Sequence, residues 1–364
     1  MPGEVKYLNQ DLRIGFLWLG TPGYFINCVL NLASNVQSVF VYYIDGDLPQ
    51  DILASFETSI NRNRLILIDV TDFSAVKLES MILEANLHSL IICGWHYRKW
   101  IVATKYFSGV KILTLDNQWT GSVRQILGKI YGRLYLRKKF DSVFVPGSRS
   151  RIFAEKIGFD NSNVHEGLYV GNDKLFGPDQ SLKRKDFLFP GRFVAEKNVE
   201  GLLRGYEEYR RRVIDPWNLK IAGWGPLENR FRNQPGIDFL RKLSQVEMAL
   251  VMRTSKFTIL PSLSEPWGVV IHESVLSGTP VICSEECGAA EKFVIDTYSG
   301  ILLRNLSFKS IADAFCDAHM LSEVDYDTRS KACIELSSCY TPEIWSKTII
   351  QMTRVHTKTK KIGS

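Results

Sequence analysis

The stretch Pro261–Ile282, PSLSEPWGVVIHESVLSGTPVI, places two glutamates, Glu265 and Glu273, with seven residues between them. FTILPS (257–262) before the glutamates is a short apolar, β-branched run of the kind that forms a strand buried on both faces, and PVICS (280–284) after them is another. What lies between reads as a helix. Pro266 suits its first turn, because proline lacks the N–H that would be left unpaired there, and Gly278 suits its C-terminal stop. Glu265 then falls on the turn and Glu273 about two turns into the helix. Strand, helix, strand is the unit of an open parallel sheet, and such sheets bind ligands beyond the carboxyl ends of their strands. The N–H groups around Trp267, Gly268 and Val269 face that edge, where a helix start binds phosphate and Gly268 allows close backbone approach. A carboxylate beside a phosphate is repelled by it. Two carboxylates make chemical sense as acceptors for hydroxyl groups on either side of a diphosphate, which describes a nucleotide sugar. The alternative is that Glu265 is a favourable charge near a helix dipole and Glu273 belongs to a solvated face.

The same pattern extends in both directions. RIGFLWL (13–19), SVFVYYI (38–44), RLILIDV (64–70), SLIIC (89–93), KILTLD (111–116) and SVFVPG (142–147) read as strands of one parallel sheet, with gaps that fit crossover helices. DFLFPGR (186–192), NLKIAGWG (218–225), IDFLRK (237–242), FTILPS, PVICS and GILLR (300–304) read as a second. With 364 residues the chain is too long for one ordinary core, so two doubly wound Rossmann-like α/β domains are expected, covering 1–175 and 176–340. The polar segment GNDKLFGPDQSLKRKD (171–186) holds the boundary. TPEIWSKTIIQMTRVH (341–356) reads as a C-terminal helix with Thr341 as N-cap and Pro342 at the first position.

Composition bounds the function. A chain 45% hydrophobic and 23% charged has the balance of a globular enzyme rather than a disordered chain. No apolar run reaches the roughly 18 to 20 residues of a membrane span, and the polar start MPGEVKYLNQDLR is not a secretory signal. Seven cysteines without a CxxC pair argue for a reducing cytoplasm over a disulfide framework. The net charge of +6 permits an anionic substrate or surface, and no nucleic-acid motif accompanies it.

FPGRFVAEKN (189–198) sets Arg192 and Lys197 on the loop after the first strand of the second domain, a cation pair suited to a diphosphate. The alternative is a solvated basic loop. IAGWGPLEN (221–229) adds Gly223 and Gly225 after the next strand. In order these are strand–G-R-x4-K-N, strand–G-x-G-P, strand–S-x-x-E-x7-E–helix–G-x-P. Over about 187–300 the chain strongly resembles the retaining GT-B glycosyltransferases of family 4, whose E-x7-E signature Glu265 and Glu273 match. Over 13–175 order and spacing agree more loosely.

The resemblance implies two Rossmann-like domains facing across a cleft, the first binding acceptor and the second the nucleotide-sugar donor, with the C-terminal helix and tail (341–364) crossing back to the first. It implies that Arg192 and Lys197 hold the donor diphosphate and that Glu273 accepts from the ribose hydroxyls. Glu265 then faces the transferred sugar, and the backbone at Gly268 and Val269 meets the distal phosphate. No metal and no cofactor are expected. The base is implied to lie near IDFLRKLS (237–244), where Arg241 stands in place of a common glycine. A glycine-rich loop is implied after the first strand, with Gly20 and Gly23 as its close-approach positions and Tyr24 where relatives carry a second glycine. Relatives often place a histidine after the fifth strand; Asp116 stands there and is the implied polar group at the reaction centre, its alternative being a turn or cap aspartate. In VHEGLYVGND (164–173), the interdomain segment, Tyr169 stands at a usual aspartate. His96, with Trp95 and Tyr97, is assigned to the acceptor pocket; aromatic residues at a strand end stack on sugar faces but also fill cores.

GSVRQILGKIYGRLYLRKKF (121–140) has six Lys or Arg and no acidic residue, with Val123, Ile126, Leu127, Ile130, Leu134 and Tyr135 in a helical stripe. A basic amphipathic helix of this kind rests on an anionic membrane; the alternative is a buried stripe with solvated cations. The expected function is sugar transfer from a nucleotide-diphosphate sugar to a saccharide or lipid-linked saccharide, in bacterial cell-surface polysaccharide or lipopolysaccharide synthesis. The expected location is the cytoplasm, with the inner face of the plasma membrane as its peripheral site. The rivals are a nucleotide-sugar 2-epimerase of the same architecture, a non-catalytic nucleotide-sugar binder, and a metal-dependent GT-A enzyme on the strength of Asp45-Gly46-Asp47 alone.

Overall fold

The computed structural model describes residues 11–45, 64–179, 181–182, 184–232 and 234–362. Asp47 lies outside the described residues. In chain order the elements are β1 (Arg13–Leu19), α1 (Gly23–Ala33), β2 (Ser38–Ile44), β3 (Leu65–Asp69), α2 (Ala75–Glu84), β4 (Ser89–Cys93), α3 (Arg98–Ala103), β5 (Val110–Thr114), α4 (Val123–Tyr131), β6 (Ser142–Val145), α5 (Ser148–Lys156) and β7 (Val164–Glu166). There follow α6 (Asp173–Phe176), β8 (Phe187–Pro190), α7 (Val199–Arg212), β9 (Leu219–Ala222), β10 (Ile237–Arg241), α8 (Gln245–Thr254), β11 (Phe257–Leu260) and α9 (Val269–Leu276). The chain ends with β12 (Val281–Ser284), α10 (Ala290–Phe293), β13 (Gly300–Leu303), α11 (Phe308–His319), α12 (Glu323–Ser337) and α13 (Pro342–Ile362).

These elements form two compact units, one built from the chain up to Val170 together with Pro342 onward, the other from Gly171–Thr341. The first holds a seven-stranded sheet in the order β3-β2-β1-β4-β5-β6-β7 and the second a six-stranded sheet in the order β10-β9-β8-β11-β12-β13. Every strand pair is parallel. Each apolar run of the sequence is a strand. The strand the sequence did not announce is β7, whose three residues Val164–Glu166 are too few for a pattern and pair along β6. In both sheets the chain order reverses beside the first strand, at β1 and at β8, so each has a switch point where loops diverge and leave a crevice.

The first sheet is covered on both faces. One layer gathers Phe16, Trp18, Phe25 and Val29 with Trp345, Ile349 and Met352 of α13; the other gathers Leu17, Leu90, Trp100 and Val143. α13 therefore returns to the first unit, as expected. Trp345 stacks on Phe16 at 5.9 Å and donates its indole N–H to the Leu168 carbonyl at 3.0 Å, while Ser346 bonds Asn31 of α1 at 2.8 Å. Burying each of its large apolar side chains contributes roughly 2 kcal/mol. The second unit has its own core, with Phe187, Phe189, Tyr209, Phe257 and Phe315 at its centre.

Candidate functional site

In the second unit the loops after β8 and β9 lie against each other backbone to backbone. Gly191 N–H donates to the Ala222 carbonyl at 2.9 Å, and Phe193 N–H to the Trp224 carbonyl at 2.8 Å. Two glycines permit this. A Cβ at Gly223 would collide with the Gly191 carbonyl oxygen, and one at Gly225 would lie 2.7 Å from the Phe193 backbone. The paired loops carry Arg192, which is exposed, and a 3-10 turn that ends on Lys197.

The turn after β11 differs from the sequence expectation. α9 begins at Val269, not at Pro266, and Gly268 is its cap in the left-handed region (φ 89°) with no side chain capping the helix. Residues 265–267 instead run beside 286–289: Gly288 N–H donates to the Glu265 carbonyl at 3.0 Å and Ala289 N–H to the Trp267 carbonyl at 2.9 Å. Glu273 therefore lies about one turn into α9 rather than two. The Lys197 ammonium donates to Glu265 Oε2, and both side chains are largely buried, 14% and 15% exposed. Burial pulls the Lys197 pKa down, with the Arg192 charge acting in the same direction and the Cys287 thiol opposing it.

Glu273 reaches a cavity of about 350 Å³ lined also by Arg192, Gly223, Trp224, Ser244, Gln245 and Met248. Burial pushes its pKa up to about 7. His272 beside it faces the other way. It is buried, stacked on Phe293 at 4.3 Å, and accepts from Gly171 N–H at 3.0 Å; burial holds its pKa down to about 3, so it is neutral and structural. Trp224, Ser244 and Gln245 carried no signal in the sequence beyond their place after strand ends. Arg241 takes the left-handed conformation (φ 57°) that a glycine would adopt without cost.

In the first unit Gly20 also sits in the left-handed region (φ 69°), donating its N–H to Ile44 at 2.8 Å, and Gly23 opens α1. Asp116, after β5, accepts a hydrogen bond from the Tyr169 hydroxyl at 3.1 Å. Tyr169 meets Tyr24 edge-on at 5.6 Å, so two residues that depart from the family pattern are packed together beside Asp116. His96 is exposed on the loop after β4; Trp95 and Tyr97 are half-buried against the core beneath. Trp95 stacks on Tyr131 of α4 at 5.6 Å, Tyr131 packs at a tilt against Tyr135 at 5.0 Å, and the Lys139 ammonium lies 3.9 Å over the Tyr135 ring. This column ties the basic helix to the loop after β4.

The apolar stripe of that helix is not buried, which overturns the alternative reading of it. α4 has no buried residue, and Val123, Leu127 and Leu134 are 74%, 63% and 66% exposed. Gly132 and Leu136, in the π turn Gly132–Leu136 that follows, provide the buried anchor. Among the described residues no cluster of three or more His, Cys, Asp or Glu could hold a metal ion, and no helix is long and apolar enough to cross a membrane.

Parallel sheets of these two orders, each with its polar loops at the carboxyl edge, define the GT-B class of glycosyltransferase fold. A solved structure of Anabaena Alr3699/HepE in complex with UDP and glucose shares the fold, with a TM-score of 0.73 over 95% of this chain and 100% of that one at 13% identity. Residues 173–325, within the second unit, match the family model of the glycosyl transferases group 1. The chain is 35% identical over 143 residues to the uncharacterized glycosyltransferase MJ1178 of Methanocaldococcus jannaschii, covering 38% of this chain and 36% of that protein. It is 28% identical over 274 residues to a phosphatidyl-myo-inositol mannosyltransferase of Mycobacterium leprae, covering 72% and 68%. The match thus spans about a third of the first relative and about two thirds of the second.

Proposed function

We propose that the chain transfers a sugar from a nucleotide-diphosphate sugar to a saccharide or lipid-linked saccharide, retaining the anomeric configuration. The observation that carries this reading is the gathering of Lys197, Glu265 and the Glu273 cavity beside an uncapped helix start at the carboxyl ends of β8 and β11. Arg192, Lys197 and the amides at Gly268 and Val269 bind the diphosphate; Glu273 accepts from ribose and Glu265 from the sugar. As the bond from the anomeric carbon to the phosphate oxygen breaks, these donors stabilise the charge that develops on the leaving diphosphate. The acceptor hydroxyl bonds to the same carbon on the same face, and its proton passes to the leaving phosphate oxygen. Asp116 orients a reacting hydroxyl, and His96, Trp95 and Tyr97 bind the acceptor. Two protein cations supply the charge that a metal supplies elsewhere, so EDTA leaves the activity intact.

The exposed stripe of α4 with its flanking cations supports a second part of the reading: this face rests on an anionic membrane on the cytoplasmic side, where a lipid-linked acceptor of surface polysaccharide or lipopolysaccharide synthesis is presented. The mannosyltransferase relative is itself named for a phosphatidylinositol.

Thermal unfolding in the presence of UDP, GDP, ADP, dTDP and CMP tests the donor site. One of them at 100 times its dissociation constant adds about 2.7 kcal/mol of stability. Arg192→Ala, Lys197→Ala and Glu273→Ala each lower turnover on the order of 100-fold. Wild-type rates in all three contradict the assignment.

A further inference from the structure

We propose that the second unit carries a second ligand site, a cavity between α7 and the chain leading into β10 that binds a hydroxylated phosphate monoester such as a sugar phosphate. The cavity is about 500 Å³, within the range of small-molecule sites, and it shares no lining residue with the Glu273 cavity. Four arginines line it: Arg204, Arg210 and Arg211 of α7, and Arg230 of the 3-10 turn Glu228–Arg230. Against them stand two glutamates, Glu200 and Glu207, which leaves an excess of two positive charges. A phosphate monoester carries a charge of about −1.5 to −2 at neutral pH, which matches that excess.

These guanidinium groups are oriented without being neutralised. Glu207 is engaged by Arg211. Among the described residues, Arg204, Arg210 and Arg230 form no ion pair. Arg204 lies instead over the Phe308 ring at 4.3 Å, and Arg210 donates to the Tyr206 hydroxyl at 3.4 Å. Tyr206 is itself fixed, donating to the Gly236 carbonyl at 2.8 Å. Gly236 leaves the space that Arg210 fills, because a Cβ there would collide with the guanidinium group. Neutral aromatic partners thus hold two cations in place without using up their charge, and a guanidinium so held grips phosphate oxygens in pairs. Glu200 is exposed at the start of α7, where pairing with Arg204 one turn on is weak in water. Its carboxylate and the Gln234 amide can each accept from a ligand hydroxyl, and Leu203 and Ile237 give the organic body an apolar wall.

Calorimetric titration of the full chain with mannose 6-phosphate, inorganic phosphate and mannose tests the site. The ester should bind best, inorganic phosphate more weakly, and mannose not at all. Arg204→Gln and Arg230→Gln change exposed side chains, so the fold is kept, and each should weaken the ester about ten-fold. Lys197→Ala, which lies outside this cavity, should leave the ester's affinity unchanged. Ester binding lost in Lys197→Ala and kept in both arginine variants would put the anion at the other cavity and overturn the proposal. So would no binding of either phosphate at about 10 mM, where even a weak anion site fills. Inorganic phosphate binding as tightly as the ester would overturn the assignment of the organic part.

Discussion

Tyr169 donates its phenolic hydrogen to Asp116 Oδ2 at 3.1 Å, and the Tyr24 ring meets the Tyr169 ring edge-on at 5.6 Å. Burial, reinforced by the Asp116 carboxylate, raises the Tyr169 pKa well above the ordinary tyrosine value, so the proton stays in place to be donated. Tyr169→Phe removes a hydrogen bond to a charged group, worth about 1.5–3 kcal/mol, and should lower turnover roughly 10- to 100-fold. Nucleotide binding, which we propose for the second unit, should not change. Turnover and thermal shift measured on one preparation check both halves, and a full-rate Tyr169→Phe enzyme would remove the pair from the mechanism.

The pKa of Glu273, raised by burial to about 7 from an ordinary 4.5, fixes two pH dependences. Between those values the unfolded chain has lost this proton while the folded chain keeps it, so this contribution to stability falls as pH rises and levels off above about 7. Donor affinity should move the opposite way. Ribose hydroxyls donate best to the ionised form, so affinity for a nucleotide sugar should rise by up to about ten-fold per pH unit below about 7 and flatten above it. Titrations of the native chain and of Glu273→Gln at several pH values should show the slope in the first and a flat line in the second.

Gly223 is sterically required. Its Cβ would collide with the Gly191 carbonyl oxygen on the neighbouring loop, and its φ of 152° lies outside the range side chains favour. Gly223→Ala should cost more than about 3 kcal/mol or push the β8 and β9 loops apart. Chemical unfolding would register the loss. A variant as stable as the native chain, with unchanged nucleotide affinity, would show that the loops tolerate separation.

The exposed stripe on α4 and the π turn after it separates membrane contact from stability. Leu127→Ser and Leu134→Ser change side chains that touch water, so unfolding should shift by less than about 0.5 kcal/mol. Flotation with anionic vesicles should nevertheless drop several-fold, and salt should weaken the native association. Binding indifferent to lipid charge and to salt would contradict the assignment of this face.

Much of the fold was legible because strands buried on both faces are written as uninterrupted apolar runs, and Phe187–Pro190 or Val281–Ser284 needed nothing else. The start of α9 was misread at Pro266 because what holds residues 265–267 out of the helix is pairing with 286–289, which no local pattern reveals. The site divides in the same way. Arg192, Lys197, Glu265 and Glu273 stood out through their spacing from strand ends, but the contact between Lys197 and Glu265 spans 68 residues and had to be seen. Tyr169 was visible only as a departure from a pattern. The stripe on α4 was plain in sequence, yet the same periodicity serves a core or an exposed face, and only the structure shows that it is exposed.

The central claim is that a donor's diphosphate lies at the turn before α9, held by Arg192, Lys197 and the amides of Gly268 and Val269. A crystal structure of the full chain with a bound nucleotide sugar tests it most directly. The account predicts phosphate oxygens within hydrogen-bond distance of those groups, the ribose on Glu273, and Glu265 released from Lys197 to a sugar hydroxyl. A diphosphate bound elsewhere, with the Lys197–Glu265 pair still closed, would contradict it.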